Sequence, residues 1–100
     1  MIKNLMDKII AERKKKNIED DYGIEKCWNN MTEVLSQDVY ETITYLEECS
    51  EEDLYFISEI FEDVSECLKS REYIECLKKL DKKFPNLHMT NDIDLAEKYI

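Results

Sequence analysis

The chain holds one imidazole, His88, and four thiols, Cys27, Cys49, Cys67 and Cys76, beside 24 carboxylates and 14 lysine or arginine side chains. Any chemistry would have to be made from these groups. Nucleophilic hydrolysis needs a nucleophile with a base beside it. His88 falls in a loop expected between two helices, and no Gly-x-Ser-x-Gly elbow occurs. A carboxylate-bridged di-iron bundle needs Glu-x-x-His twice, which a single His excludes. No two cysteines have Cys-x-x-Cys spacing and His88 has no second soft ligand nearby, so neither a structural zinc nor a redox pair is expected. The cysteines read as reduced thiols packed as small hydrophobes. Asp20-Asp21 and Glu51-Glu52-Asp53 lack the spaced oxygens and central glycine of a calcium loop. Paired acids alone are too common here to signal glycoside chemistry. The chain is therefore expected to be no enzyme, to carry no metal or cofactor, and to act by binding another macromolecule.

Charge constrains what that macromolecule is. The net charge is −10, and it is unevenly spread. Residues 1–18 carry +4, residues 67–100 carry +1, and residues 19–66 carry −15, from sixteen acids and the single base Lys26. Such a field repels nucleic acid and anionic membrane surfaces and attracts basic protein surfaces. The basic run Arg13-Lys14-Lys15-Lys16 reads as a solvated helix end that complements the helix dipole, rather than as a nucleic-acid contact. Asp7 and Lys8 interrupt what would be the apolar core of a signal peptide, and no stretch approaches a membrane span of roughly 18 apolar residues. A cytoplasmic protein is expected.

The elements that position these groups follow from periodicity. One Gly and one Pro in 100 residues leave no turn chemistry for a β-rich fold. Apolar residues at helical spacing predict helices over about 2–16, 25–35, 39–49, 51–69, 71–84 and 93–100, with 17–24 and 86–89 as links. Asp38, Ser50 and Ser70 are expected N-caps, and Ser50-Glu51-Glu52-Asp53 resembles a capping box with Asp in place of Glu. Pro85 stops the fifth helix. The expected fold is all-α: one domain over 1–100, an antiparallel bundle or stacked helical hairpins of five to six helices joined by short links.

The longest helix shows how the acid is aimed. On a 100° wheel, Leu54, Ile57, Phe61, Val64 and Leu68 fall within about 80° of arc. Glu52, Glu59, Glu62, Asp63 and Glu66 lie opposite, with Tyr55 among them. Like charges three or four apart cost about 0.2–0.5 kcal/mol per pair, so the stripe gains nothing structurally. An aromatic ring among carboxylates suits a protein interface. These six residues are the expected partner-binding surface, and Tyr45, with Tyr40, either extends it or packs at the edge of the core.

The second half of the chain carries a resemblance. Residues 61–80, the Lys83-Phe84-Pro85-Asn86-Leu87 segment and Asp92-Ile93-Asp94-Leu95-Ala96 resemble small helical immunity proteins of bacterial toxin–immunity systems, of the contact-dependent growth inhibition and polymorphic-toxin kind. The resemblance covers about residues 28–100 and lies in a pattern of apolar and acidic positions. It implies a cytoplasmic protein, monomer or homodimer when free, that binds a cognate basic toxin domain, often a nuclease, and blocks it without chemistry of its own. The competing expectation is a helical adaptor or regulatory protein acting as a homo-oligomer, with Trp28, Tyr22 or Tyr73 at the subunit contact.

Overall fold

Four of the seven described helices begin at a side chain that caps their first turn. In the computed structural model, which describes residues 2–17 and 19–100, the helices are α1 (Ile2–Lys15), α2 (Asp21–Leu35), α3 (Val39–Glu47), α4 (Glu51–Ile57), α5 (Phe61–Leu68), α6 (Arg71–Lys83) and α7 (Thr90–Glu97). Short 3-10 turns occupy Ser58–Ile60 and Pro85–Leu87, and no strand occurs among the described residues. Asp38 caps α3 by accepting from Tyr40 N and Glu41 N, and Ser70 caps α6 by accepting from Tyr73 N. Ser50 caps α4 through Asp53 N, but Asp53 does not return the bond of a full capping box; its carboxylate turns to Lys14.

Three boundaries differ from those expected. The link at 17–24 is shorter, because Asp20 caps α2 by accepting from Gly23 N at 2.9 Å and draws residues 21–24 into the first turn. Gly23 is needed there: a Cβ would lie 2.4 Å from the Asp20 carboxylate. The helix expected over 51–69 is interrupted at 58–60. Ser58 Oγ donates to Tyr55 O at 2.6 Å, and Ile60 leaves helical geometry (φ −122°, ψ 14°). The rod ends at Lys69, which takes the left-handed conformation (φ 47°) that usually falls to glycine. The last helix begins at Thr90 rather than 93, and Thr90 Oγ1 donates to Asp81 instead of capping its own helix. Counting α4, its 3-10 turn and α5 as one broken rod, six rods form the bundle.

α1 and α2 form a helical hairpin, and α1 also touches α3 and α4. Farther along, α3 packs on α6, α5 on α7, and α6 on α7, so the chain returns to elements not adjacent in sequence. The predicted apolar seam converges on one core. Leu54, Ile57, Phe61 and Val64 are fully buried, with Met31, Leu35, Leu46, Ile74 and Leu77 around them. Met6 and Ile10 bury α1 against this core, each worth roughly 1.5–3 kcal/mol. On α3 the buried face is Thr42, Tyr45 and Leu46, with Val39 and Ile43 only half-buried. Thr42 can turn inward because its hydroxyl donates to Leu35 O at 2.7 Å. Ser65 is buried likewise, donating to Ala96 O at 2.6 Å and tying α5 to α7. The radius of gyration, 12.5 Å, is that of one domain of this length (about 13 Å).

Candidate protein-binding surface

The stripe opposite the seam of α4 and α5 is not one surface. The 3-10 turn divides it, and α1 lies against its first half. Glu59 accepts from Arg13 Nε at 2.9 Å, Arg13 Nη2 at 2.7 Å and Trp28 Nε1 at 3.0 Å. The Glu59 side chain is 25 % exposed and that of Arg13 14 %, so this pair is an internal clamp between α1, α2 and the 3-10 turn. Lys14 pairs with Glu52 and, at 3.1 Å, with Asp53. Arg13 and Lys14 also lie over the Phe56 ring, 5.2 and 5.9 Å from its centroid. The basic end of α1 thus serves the chain's own carboxylates.

The structure sets two of the expected binding residues against the chain's own cations. Glu59 is committed to the fold, and Glu52, though exposed, already has a cation. Tyr45 is a third departure from the expected set: it is 7 % exposed and belongs to the core. Its helix neighbour Tyr40 is 69 % exposed, and Tyr55 is 54 % exposed, as expected. Periodicity alone left Tyr40 and Tyr45 undivided. In the fold Tyr45 shares the buried face of α3 with Thr42 and Leu46, and Tyr40 does not.

The second half of the stripe stays open. Glu62, Asp63 and Glu66 make no salt bridge among the described residues, and Glu62 is half-buried. Partial burial, then the charges of Glu62 and Glu66, hold the Asp63 carboxyl above the ordinary range. Asp92 on α7 is raised in the same way, by burial and then by Glu62. Tyr99 donates weakly to Glu62 at 3.4 Å, and that carboxylate pushes its hydroxyl up. Sequence reasoning missed Asp92 and Tyr99, because only the packing of α7 on α5 brings them to this patch.

Across the whole acidic segment, sixteen carboxylates lie between Glu19 and Glu66, and only Glu52, Asp53 and Glu59 have an intramolecular cation among the described residues. Thirteen do not. The exposed rings Tyr22, Tyr40 and Tyr55 each sit beside such acids in sequence: Asp21 and Glu25, Asp38 and Glu41, Glu51. Tyr73, by contrast, is fully buried and donates to Phe61 O at 3.2 Å, and Trp28 is half-buried and held by Glu59. Of the three rings proposed for a subunit contact, only Tyr22 is open.

The remaining reactive groups are dispersed. His88 is exposed and ends the second 3-10 turn with φ 54°. All four cysteines are free; Cys27 and Cys76 are buried, Cys49 is half-buried, and Cys67, expected in the core, is exposed. Burial holds the Cys76 and Cys49 thiols up at about 11. Among the described residues no group of three or more His, Cys, Asp or Glu side chains is placed to hold a metal ion, and no helix is long and apolar enough to cross a membrane. The fold and surface define a helical protein with an acidic, tyrosine-bearing exterior. Compared with known proteins, the chain matches no family model, no curated protein and no solved structure.

Proposed function

We propose that this chain is a binding protein for a cationic protein domain, and that the domain is the toxin of a bacterial toxin–immunity pair, met in the cytoplasm and blocked by having its basic face covered. The observation that carries the binding reading is the set of thirteen carboxylates between Glu19 and Glu66 without an intramolecular cation. Asp20 and Asp38 among them cap helices, but Glu62, Asp63 and Glu66 crowd one another without a cation, and a cationic partner relieves that repulsion while drawn in by the field. Exposed tyrosines supply contact area at low conformational cost. The toxin–immunity part rests on the resemblance of residues 28–100.

The first test is the neighbouring reading frame, which this reading expects to encode a large protein ending in a toxin-like domain, and the second is co-expression of the chain with that domain. The expected result is that the chain restores growth to cells producing that domain. Glu62→Lys/Asp63→Lys/Glu66→Lys protects less while remaining folded. Full protection by the charge-reversed variant contradicts the acidic-surface mechanism, and no protection by the parent chain contradicts the toxin–immunity reading.

A further inference from the structure

A groove of about 320 Å³ runs along the hairpin of α1 and α2, and its charge is opposite to that of the molecule around it. Lys8 on α1, Lys16 just past its end and Lys26 on α2 line it, against one carboxylate, Glu12. Lys26 is the only base in residues 19–66, so the one cation of the acidic segment is placed here. None of these three lysines pairs with a carboxylate among the described residues, and Glu12 reaches only Lys15, at 4.0 Å. Other cations of α1, Lys3, Arg13 and Lys14, are engaged by the chain's own acids. The rest of the groove offers little charge: Cys27 is buried, Ile9 is half-buried, and Gly23 adds no side chain.

A lysine rim around an apolar floor suits an aromatic ring flanked by carboxylates. The ring takes the floor and meets the ammonium groups with its face, and the carboxylates pair with them. The chain carries such a group beside the groove. Tyr22 on α2 is 82 % exposed, more than any other exposed large apolar side chain among the described residues, and it does not line its own groove. The exposed acids Asp21 and Glu25 flank it and have no cation among the described residues. Tyr22 and Lys26 are four residues apart on one helix and so share a face, which joins the ring and its acids to the lysine rim as one patch. Two chains of net charge −10 repel each other overall. The +4 of residues 1–18 offsets part of that repulsion here, and the rest is screened beyond about 8 Å at physiological salt.

We propose that two copies of this chain associate through this hairpin, each laying its Tyr22, with Asp21 and Glu25, into the lysine-lined groove of the other. A patch that carries both the inserted group and its receptor is complementary to itself, and a self-complementary patch closes about a two-fold axis into a dimer. The exchange gives Lys8, Lys16 and Lys26 the carboxylates they lack within one chain, and it covers the open Tyr22 ring. The inference goes beyond the cationic-partner reading and does not depend on it, because the contact uses none of Glu62, Asp63 and Glu66.

The experiment is static light scattering of the full chain up to about 1 mM, at physiological salt. The parent is expected to form a dimer, twice the 12.0 kDa of one chain, with a dissociation constant below about 1 mM. Tyr22→Ala, at an exposed ring, is expected to fold as the parent does and to dimerise about tenfold more weakly. Lys8→Glu/Lys26→Glu sets acids against acids in both halves of the contact, and Asp21→Lys/Glu25→Lys sets cations against cations. Each alone is expected to be monomeric, and an equimolar mixture of the two is expected to dimerise, because both halves are then of opposite charge. Glu62→Lys/Glu66→Lys carries the same net charge as Asp21→Lys/Glu25→Lys but lies outside the patch. It is expected to dimerise like the parent and not to rescue Lys8→Glu/Lys26→Glu. A parent that stays monomeric at about 1 mM, a dimer unchanged by Tyr22→Ala and by Lys8→Glu/Lys26→Glu, or rescue by Glu62→Lys/Glu66→Lys in place of Asp21→Lys/Glu25→Lys each overturns the assignment. The growth-protection result decides the cationic-partner reading separately.

Discussion

Replacing Glu59 by lysine should damage the fold, although Glu59 looks in the sequence like one more exposed acid. Its carboxylate accepts three hydrogen bonds, two from Arg13 and one from Trp28. Hydrogen bonds to charged groups contribute about 1.5–3 kcal/mol each when buried. Here a quarter of the Glu59 side chain is open to water, so part of each loss is recovered by solvation. A total near 2 kcal/mol is the reasonable figure for the three bonds. Lysine then sets a second cation against Arg13 at about 4 Å, adding about 1 kcal/mol even at the dielectric of water. The expected loss is about 3 kcal/mol, or roughly 12–24 °C in Tm for a domain of this size. Trp28 is the only tryptophan and sits on the clamp, so urea unfolding followed by its emission reads the change directly. Glu62→Lys is the control, expected within about 0.5 kcal/mol of the parent. If the two variants have the same midpoint as the parent, the clamp is not holding α1 and the division of the acidic stripe is wrong. If the expectation holds, Glu59→Lys is unusable as a probe of binding, because it reports folding instead.

Three further outcomes follow from particular contacts. Lys69→Gly relieves a left-handed backbone at the end of α5 and should raise stability by about 0.5–1 kcal/mol, read as a higher Tm by calorimetry; no gain would mean that the chain does not hold that φ. Ser65→Ala removes the buried bond from α5 to Ala96 O and should cost about 1–2 kcal/mol in denaturant unfolding, whereas a neutral result would mean that α7 docks by apolar contact alone. Asp63→Asn should raise stability at pH 7 by a few tenths of a kcal/mol, by removing a carboxylate that is partly buried and is also repelled by Glu62 and Glu66. Because folding raises the Asp63 carboxyl above its ordinary 3.8, its penalty is present above the folded value and fades as the pH falls through it. The advantage of Asn should therefore vanish below pH 3.8, and an advantage that grows in acid would reverse the sign of this account.

The helices were legible in the sequence because their signals are local. Asp38, Ser50 and Ser70 announce α3, α4 and α6, and the spacing of Leu54, Ile57, Phe61 and Val64 marks the core seam. What stayed hidden depends on a second element. The break at Ser58–Ile60 is a local backbone departure at Ile60, and helical spacing continues across it unchanged. The loss of Glu59 and Glu52 to the fold follows from the docking of Arg13 and Lys14, some forty residues away in sequence. The N-terminal basic run reads locally as a match to the helix dipole; in space it neutralises another helix. Tyr45 and Tyr40 differ only in which way α3 is rolled, and the buried face that settles it, Thr42, Tyr45 and Leu46, is defined by packing on other helices. Asp92 and Tyr99 join the open patch because α7 folds back on α5.

The carboxylates left without cations are held to be a recognition surface, and association kinetics test that most directly. The rate at which the chain associates with the proposed cationic partner domain should be measured across 50–500 mM salt, for the parent and for Glu62→Gln/Asp63→Gln/Glu66→Gln. The expected parent rate falls about tenfold or more as salt rises, the variant is slower at low salt, and the two converge at high salt. Equal rates that do not change with salt would show that these acids keep the protein in solution and recognise nothing.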